Sequence, residues 1–356
     1  MNNNNVKIAI VGHFGGNKVF TDGQTIKTKT IYEALKERDI IITKIDTFFL
    51  KKNPFIFLGQ LLRGSISNKK IIILLSLNGR RYLFPIFYIL QKYFDKEIYH
   101  YAIGGRLMNE VSTHKNYRKY VKSFSGNWLE STLLTNQLQE IGITNAIYVP
   151  NFKRIEPLTK KEIEDNFILK NNFCIFSRIT KKKGIIDAIN TILKINELKK
   201  YEKVTLDIYG PVEKEFEIEF KEALKKSSEY CHYKGIISFE KSVEILKNYL
   251  CLLFPTHWYH EGIPGTIIDA FMAGVPVIAK NWKYCNEMIV DKKTGLIYEF
   301  DSPEKLFDSV LYALDNKKEI YKMKFNCLEE AKKYSEDEVL KVIFRQMKIS
   351  IKKEER

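Results

Sequence analysis

Short runs rich in Ile, Val and Tyr alternate with longer stretches of helical periodicity through most of the chain, and that alternation is the signature of βαβ units and parallel sheets. Strands are predicted near residues 7–11, 40–45, 71–77, 97–103, 121–125 and 146–149, a first Rossmann-like half. Between them, residues 28–38 carry Ile31 and Leu35 at helical spacing, and residues 128–141 repeat the pattern until Gly142 stops it. A charged, weakly patterned stretch follows to about Asn172. The alternation then restarts with FCIFSRI, VTLDIYG, CHYKGII, CLLFPT, VPVIAK and GLIYEF, a second Rossmann-like half. The two halves do not repeat one another, and 356 residues suit about two domains. The fold expected is therefore α/β, two Rossmann-like domains with parallel sheets facing a central cleft. Residues 1–152 are assigned to the first domain and 153–334 to the second. A terminal helix from 335 to about 351 has no strand after it, and the final KKEER reads as a solvated, frayed end.

Charge narrows the partners. Lys and Arg number 58 against 43 Asp and Glu, a net +15, which favours anionic ligands such as nucleotides or phospholipid head groups. Nucleic acid would satisfy the same charge, but no nucleic-acid motif accompanies it, and none is expected as a partner. The five cysteines are scattered and never spaced as CxxC, which fits a reducing compartment. No secretory pattern opens the chain, and the longest apolar runs, 71–77 and 82–90, fall short of the ~18 to 20 residues that span a bilayer. The expected location is cytoplasmic, with any membrane contact peripheral.

Three loops could carry chemistry. The segment from Phe254 to Asn281 reads as strand, loop, a helix beginning near Pro264 and Gly265, and another strand. Glu261 precedes that helix and Asp269 lies about two turns further on, so one ligand at the helix N-terminus could touch both, and the free first-turn N–H groups suit a diphosphate. The plainer reading makes Glu261 a helix-start acid and Asp269 a solvated position. Against it, Glu261 follows His257, Trp258, Tyr259 and His260 in a strand-to-helix loop, where open α/β sheets bind ligands. SRITKKKG, Ser177 to Gly184, also follows a strand, and Arg178 and Lys183 there could neutralise a leaving diphosphate. Gly15 and Gly16 follow the first strand and allow close backbone approach to an anion, with Thr25 or Thr28 available to cap the next helix. Neither GxGxxG nor a Walker loop is present, and no HExxH, Asp-x-Asp or GxSxG occurs, so no metal is expected and hydrolase triads find no support.

At these residues the chain resembles a known family. EGIPGTIID followed by AFMAGVPVIA resembles the E-x7-E region of the retaining GT-B glycosyltransferases, family-4 type. SRITKKKGIIDAI resembles that family's Arg-x4-Lys-Gly phosphate motif, and VPNF (Val149 to Phe152) its domain-closing Pro-Asn. The resemblance implies an N-terminal acceptor domain, a C-terminal nucleotide-sugar domain, and a last helix that crosses back to the first. It implies that Glu261 contacts the donor sugar and Asp269 the ribose hydroxyls, with Arg178 and Lys183 stabilising the departing diphosphate. Gly262, Ile263, Gly265, Thr266, Gly15, Gly16, Gly210 and Ile237 would complete the donor site. His100, Gly104, Gly105 and His260 would be acceptor or sugar contacts, although His100 lies inside a strand and reads first as structural.

Under that resemblance the chain moves a hexose or N-acetylhexosamine, with retention and without a metal or other cofactor, from a nucleotide-sugar donor, UDP ahead of GDP. The acceptor would be a glycan or lipid-linked glycan in surface polysaccharide biosynthesis. Asp269 departs from the family's second Glu by one methylene, and IYGPVEKEF has one glycine, Gly210, where a glycine-rich turn is usual. The alternatives are a GT-B-type sugar-nucleotide epimerase and a non-catalytic nucleotide-binding accessory subunit. Residues 55–62 and 82–94 are apolar and aromatic with basic neighbours; they read either as helices packed on the sheet or as a surface for anionic lipid.

Overall fold

The computed structural model describes residues 6–18, 22–165 and 170–350, and the statements below concern those residues. The predicted frayed end, 352–356, and the last residue of the predicted terminal helix lie outside them. The chain divides into two compact units, Met1–Arg154 with Ser335–Arg356, and Ile155–Tyr334.

In the first unit β1 (Lys7–Gly12), β2 (Ile41–Asp46), β3 (Lys70–Ile73), β4 (Glu97–Tyr101), β5 (Gly126–Leu129) and β6 (Ala146–Tyr148) form one parallel sheet in the order β2-β1-β3-β4-β5-β6. Ile8 to Val11 are closed to solvent, as expected for a central parallel strand covered on both faces. The helix Gly23–Lys36 packs Ile31, Ala34 and Leu35 into the same core as Val339, Leu340, Ile343 and Phe344 of the helix Glu336–Gln346. That last helix starts at Ser335, whose side chain makes no capping hydrogen bond. Its acidic first turn is held instead by arginines: Arg38 pairs with Glu336 and Asp337, and Arg154 with Glu336 and Glu37.

Two local readings are corrected. Residues 121–125 do not form the fifth strand: they end the helix Lys115–Ser123, and the strand is Gly126–Leu129. Gly and Asn are poor strand formers, and tertiary contacts override that preference. Asn127 is fully buried and donates from its amide to the Val121 carbonyl at 2.8 Å, tying the strand to the helix before it. Trp128 therefore belongs to β5, and the next helix is Thr132–Glu140, capped by Ser131 Oγ accepting from the Leu134 amide. Likewise, the helix after β1 is capped by Asp22, which accepts from the Gln24 and Thr25 amides, and not by Thr25 or Thr28. Thr28 is buried against Gly12, where a Cβ would meet its Cγ2 at 2.6 Å.

The second unit repeats the architecture with β7 (Asn172–Phe176), β8 (Thr205–Tyr209), β9 (Cys231–Gly235), β10 (Cys251–Phe254), β11 (Val277–Lys280) and β12 (Gly295–Tyr298), parallel, in the order β12-β11-β10-β7-β8-β9. The chain runs outward from β7 through β8 to β9, then returns to the other side of β7 at β10. The crevice at the carboxyl ends of β7 and β10 is thus a topological switch point, the position at which open α/β sheets take ligands.

Candidate active site

Both C-terminal loops singled out in the sequence open at that switch point. The loop after β7 carries Arg178 and Lys183; the loop after β10 carries Glu261. Their backbones are pressed together. The His257 amide donates to the Lys182 carbonyl at 2.8 Å, and the Thr256 hydroxyl lies 3.3 Å from the same oxygen. Gly184 sits at φ +67°, and a Cβ there would lie 2.0 Å from the Pro255 carbonyl oxygen, so only glycine permits this approach. On the other side, the Ser177 amide donates to the Tyr209 carbonyl at 3.1 Å and the Ile179 amide to the Pro211 carbonyl at 2.9 Å. Gly210, at φ +132°, would place a Cβ 1.8 Å from the Ser177 carbonyl oxygen. The lysine-rich loop is therefore clamped between its two neighbours, which gives a physical reason for the glycines at 184 and 210.

The clamp sets the side chains. Lys183 Nζ lies 2.6 Å from Glu261 Oε2, both groups mostly buried, and Thr256 Oγ1 lies 3.4 Å from the same carboxylate oxygen. An ammonium has three N–H donors, so the Glu261 bond leaves two of them for a second anion. Arg178 is exposed, and no described residue pairs with its guanidinium. The loop of Glu261 is held from behind by Trp282, buried against Phe254 with ring centroids 5.1 Å apart, whose Nε1 donates to the Gly262 carbonyl at 3.2 Å. Ile263 is buried, and the helix Gly265–Met272 begins directly after Pro264. In its first turn the Thr266 hydroxyl is buried with no hydrogen-bond partner among the described residues.

Asp269 is only 3% exposed on the inner side of this helix, not the solvated position that an amphipathic reading allows. His260 stacks edge-on with Trp258 and Tyr259 in the loop, and Ile237 lies just beyond the carboxyl end of β9. Sequence reasoning passed over Asp187, which meets His257 Nε2 at 2.6 Å, and Thr256. Both lie inside segments singled out in the sequence, Asp187 in SRITKKKGIIDAI and Thr256 after Phe254, but the pairing of Asp187 with His257 shows only once the loops are packed.

The N-terminal candidates lie in the first unit. The Gly16 amide donates to Asp46 Oδ2 at 2.8 Å and the Phe14 amide to Oδ1 at 2.9 Å. An internal carboxylate thus occupies the amide of Gly16 that was expected to meet a bound anion; Gly15 precedes it at φ +90°. His100 is fully buried in β4, its Nδ1 3.3 Å from Asn127 Oδ1 and its ring edge-on to Phe84. Burial, with the Arg80 guanidinium near it, pushes its pKa down to about 3. It is a neutral core residue, in keeping with its reading as a structural residue inside a strand. Gly104 and Gly105 follow it in the loop after β4, where Gly104 is exposed at φ +74° and Gly105 buried. The sequence also gave no sign of a pocket of about 490 Å³ in this unit, lined by Arg81, His114, Asn116 and Tyr117 among others.

Residues 159–334, nearly the whole second unit, match the family model described as glycosyl transferases group 1. An uncharacterized glycosyltransferase of Methanocaldococcus jannaschii is 23% identical over 261 residues, covering 69% of this chain. The chain spans 61% of that protein's length. Sucrose-phosphate synthase from Thermosynechococcus elongatus has a similar structure, with a TM-score of 0.72 at 13% identity over 96% of this chain and 99% of that one. Anabaena HepE, solved in complex with UDP, gives a TM-score of 0.70 at 12% identity and the same coverage. The second unit is thus similar in sequence to a group 1 glycosyl transferase domain, and the two six-stranded parallel sheets of the chain match the two-domain GT-B fold.

Proposed function

We propose that the chain is a retaining, metal-independent glycosyltransferase that moves a hexose or N-acetylhexosamine from a nucleoside diphosphate sugar to a glycan or lipid-linked glycan of a surface polysaccharide. The observation that carries the reading is the Lys183–Glu261 pair, with Arg178 in the same loop as Lys183, at the switch point of the unit that matches the family model. The UDP complex of HepE supports UDP as the carrier, ahead of GDP.

Breaking the bond between a sugar and a diphosphate develops negative charge on the phosphate and positive charge on the anomeric carbon. Fixed cations and helix N–H groups aimed at the phosphate supply the principal stabilisation. In this reading Arg178 and the two remaining N–H donors of Lys183 face the diphosphate, joined by the amides of Gly265 and Thr266 and by the Thr266 hydroxyl. Glu261, held by Lys183, orients the sugar and stands near the developing positive charge. Asp269 takes the ribose hydroxyls, and Gly262, Ile263, Gly210 and Ile237 shape the donor site around them. The acceptor hydroxyl attacks from the face that the phosphate leaves, and the leaving phosphate accepts its proton, so no protein nucleophile is required.

The test is consumption of UDP-sugars with and without a glycan acceptor fraction. Transfer that falls by two orders of magnitude or more in Glu261→Ala, with the fold intact, supports the site. A sugar nucleotide altered at one stereocentre without acceptor would identify an epimerase, and binding without turnover an accessory subunit.

A further inference from the structure

The helices Pro54–Ser67 and Leu77–Tyr93 follow β2 and β3, and both connections step along the sheet in one direction, from β2 to β3 and from β3 to β4. Right-handed crossovers place both on the same face. Each buries one side: Phe57 and Leu61 on the first, Leu83, Phe84 and Phe87 on the second. The sheet-packing reading is correct for those residues, but it leaves the outer sides unexplained. On the first helix Phe55 is 85% and Ile66 79% exposed, with Leu58 and Leu62 exposed between them at helical spacing. On the second, Tyr82, Ile86, Ile89 and Tyr93 repeat the pattern. A helix on a protein surface ordinarily puts polar residues there.

The exposed charge contributed by these segments is basic. From residue 47 to residue 94 the chain has eight Lys or Arg and no Asp or Glu; Lys69, Lys70 and the buried Arg80 pair with Asp95, Glu97 and Glu110, while Lys51, Lys52, Arg63 and Arg81 are exposed. The helix Lys115–Ser123 adds Lys115, Arg118, Lys119 and Lys122, again without an acid. It packs beside Leu77–Tyr93 through Tyr88 and Tyr120, ring centroids 5.3 Å apart, with Lys119 Nζ 4.9 Å from the Tyr88 ring.

We propose that this face docks on an anionic phospholipid bilayer. The exposed aromatic and aliphatic side chains enter the interface, and the surrounding lysines and arginines meet the phosphates. A second copy presenting the same face would bring like charges together, which disfavours self-association there. Among the described residues no helix is long and apolar enough to cross a membrane, so the contact lies in the plane of the interface. The inference is independent of the sugar-transfer reading.

Co-sedimentation of the full chain with vesicles tests it. Binding to phosphatidylcholine mixed with phosphatidylglycerol is expected to exceed binding to phosphatidylcholine alone by about tenfold or more, and to weaken in high salt. Phe55→Ser with Ile66→Ser, and separately Lys51→Glu, Lys52→Glu and Arg63→Glu together, are each expected to reduce it by about tenfold. These positions are all exposed, and circular dichroism checks the fold of each variant; if the apolar variant misfolds, the charge-reversal variant carries the test alone. Equal binding to both vesicle types, or charge-reversal protein that binds like the wild type, would overturn the proposal. So would a concentration-dependent dimer abolished by the apolar substitutions in a protein that ignores vesicles, which would assign the face to a second copy.

Discussion

Lys183 Nζ stands 2.6 Å from Glu261 Oε2, joining the loop after β7 to the loop after β10. The two residues lie 78 positions apart in sequence and act on the same crevice. In the proposed reaction one faces the leaving phosphate and the other the sugar, so each loses much of its effect without its partner. Glu261→Gln and Lys183→Met are each expected to lower the rate of sugar transfer by about 10²- to 10³-fold. The double variant should fall short of the product of the two effects, because the residues are coupled. Steady-state kinetics on all three proteins checks this; fully multiplicative losses would separate the two roles.

Arg178 is exposed and pairs with no described residue, so its removal takes nothing from the folded state. Arg178→Ala should leave the thermal midpoint unchanged while weakening nucleoside diphosphate binding by about 10- to 150-fold, the equivalent of one charge-assisted hydrogen bond at ~1.5 to 3 kcal/mol. Titration calorimetry with UDP and GDP reads the loss directly.

Three glycines separate backbone strain from collision. Gly184 and Gly210 have positive φ and backbone carbonyls within 2.0 Å of any added Cβ, whereas Gly235 has φ +80° with nothing within 4 Å. Gly235→Ala should cost about 1 to 2 kcal/mol from the left-handed conformation alone. Gly184→Ala and Gly210→Ala should cost more than that and disturb nucleotide binding as well, since both glycines set the loop of Lys183. Urea denaturation of the three variants gives the comparison.

His100 provides a pH signature. Its folded pKa, about 3, lies below the ordinary ~6.5 of an unfolded histidine, so below pH ~6.5 the unfolded chain binds a proton that the folded protein refuses. The stability held by the neutral ring is fully present above pH ~6.5 and is lost progressively as pH falls toward 3, by up to about 1.4 kcal/mol per pH unit. Denaturant unfolding between pH ~6.5 and ~5, above the carboxylate range, should show the decline in wild type and a shallower one in His100→Gln.

Most strands of the second unit were legible because they are apolar runs bounded by polar or glycine-containing turns, β9 (CHYKG) being the exception; VTLDIYG and VPVIAK need no tertiary information. β5 was not, because Gly126 and Asn127 enter a strand only through the contacts of Asn127 with Val121 and His100. At the site, Glu261, Arg178 and Lys183 announce themselves by residue type and by position after a strand. That Lys183 reaches Glu261 does not, since it depends on Gly184 lying against Pro255. The claim of Asp46 on the Gly16 amide was equally hidden: a glycine turn declares its open amides, and only the fold says which anion takes them.

The central claim is that the switch point of the second unit holds a nucleoside diphosphate sugar. A thermal-shift panel of UDP, GDP and their hexose and N-acetylhexosamine conjugates tests it most directly, because a ligand that binds only the folded chain raises its apparent stability, by ~2.7 kcal/mol at a hundred times its dissociation constant. The account predicts a rise of several degrees with one nucleotide series, UDP first, that disappears in Arg178→Ala. No shift with any of them at millimolar concentration on folded protein would contradict it.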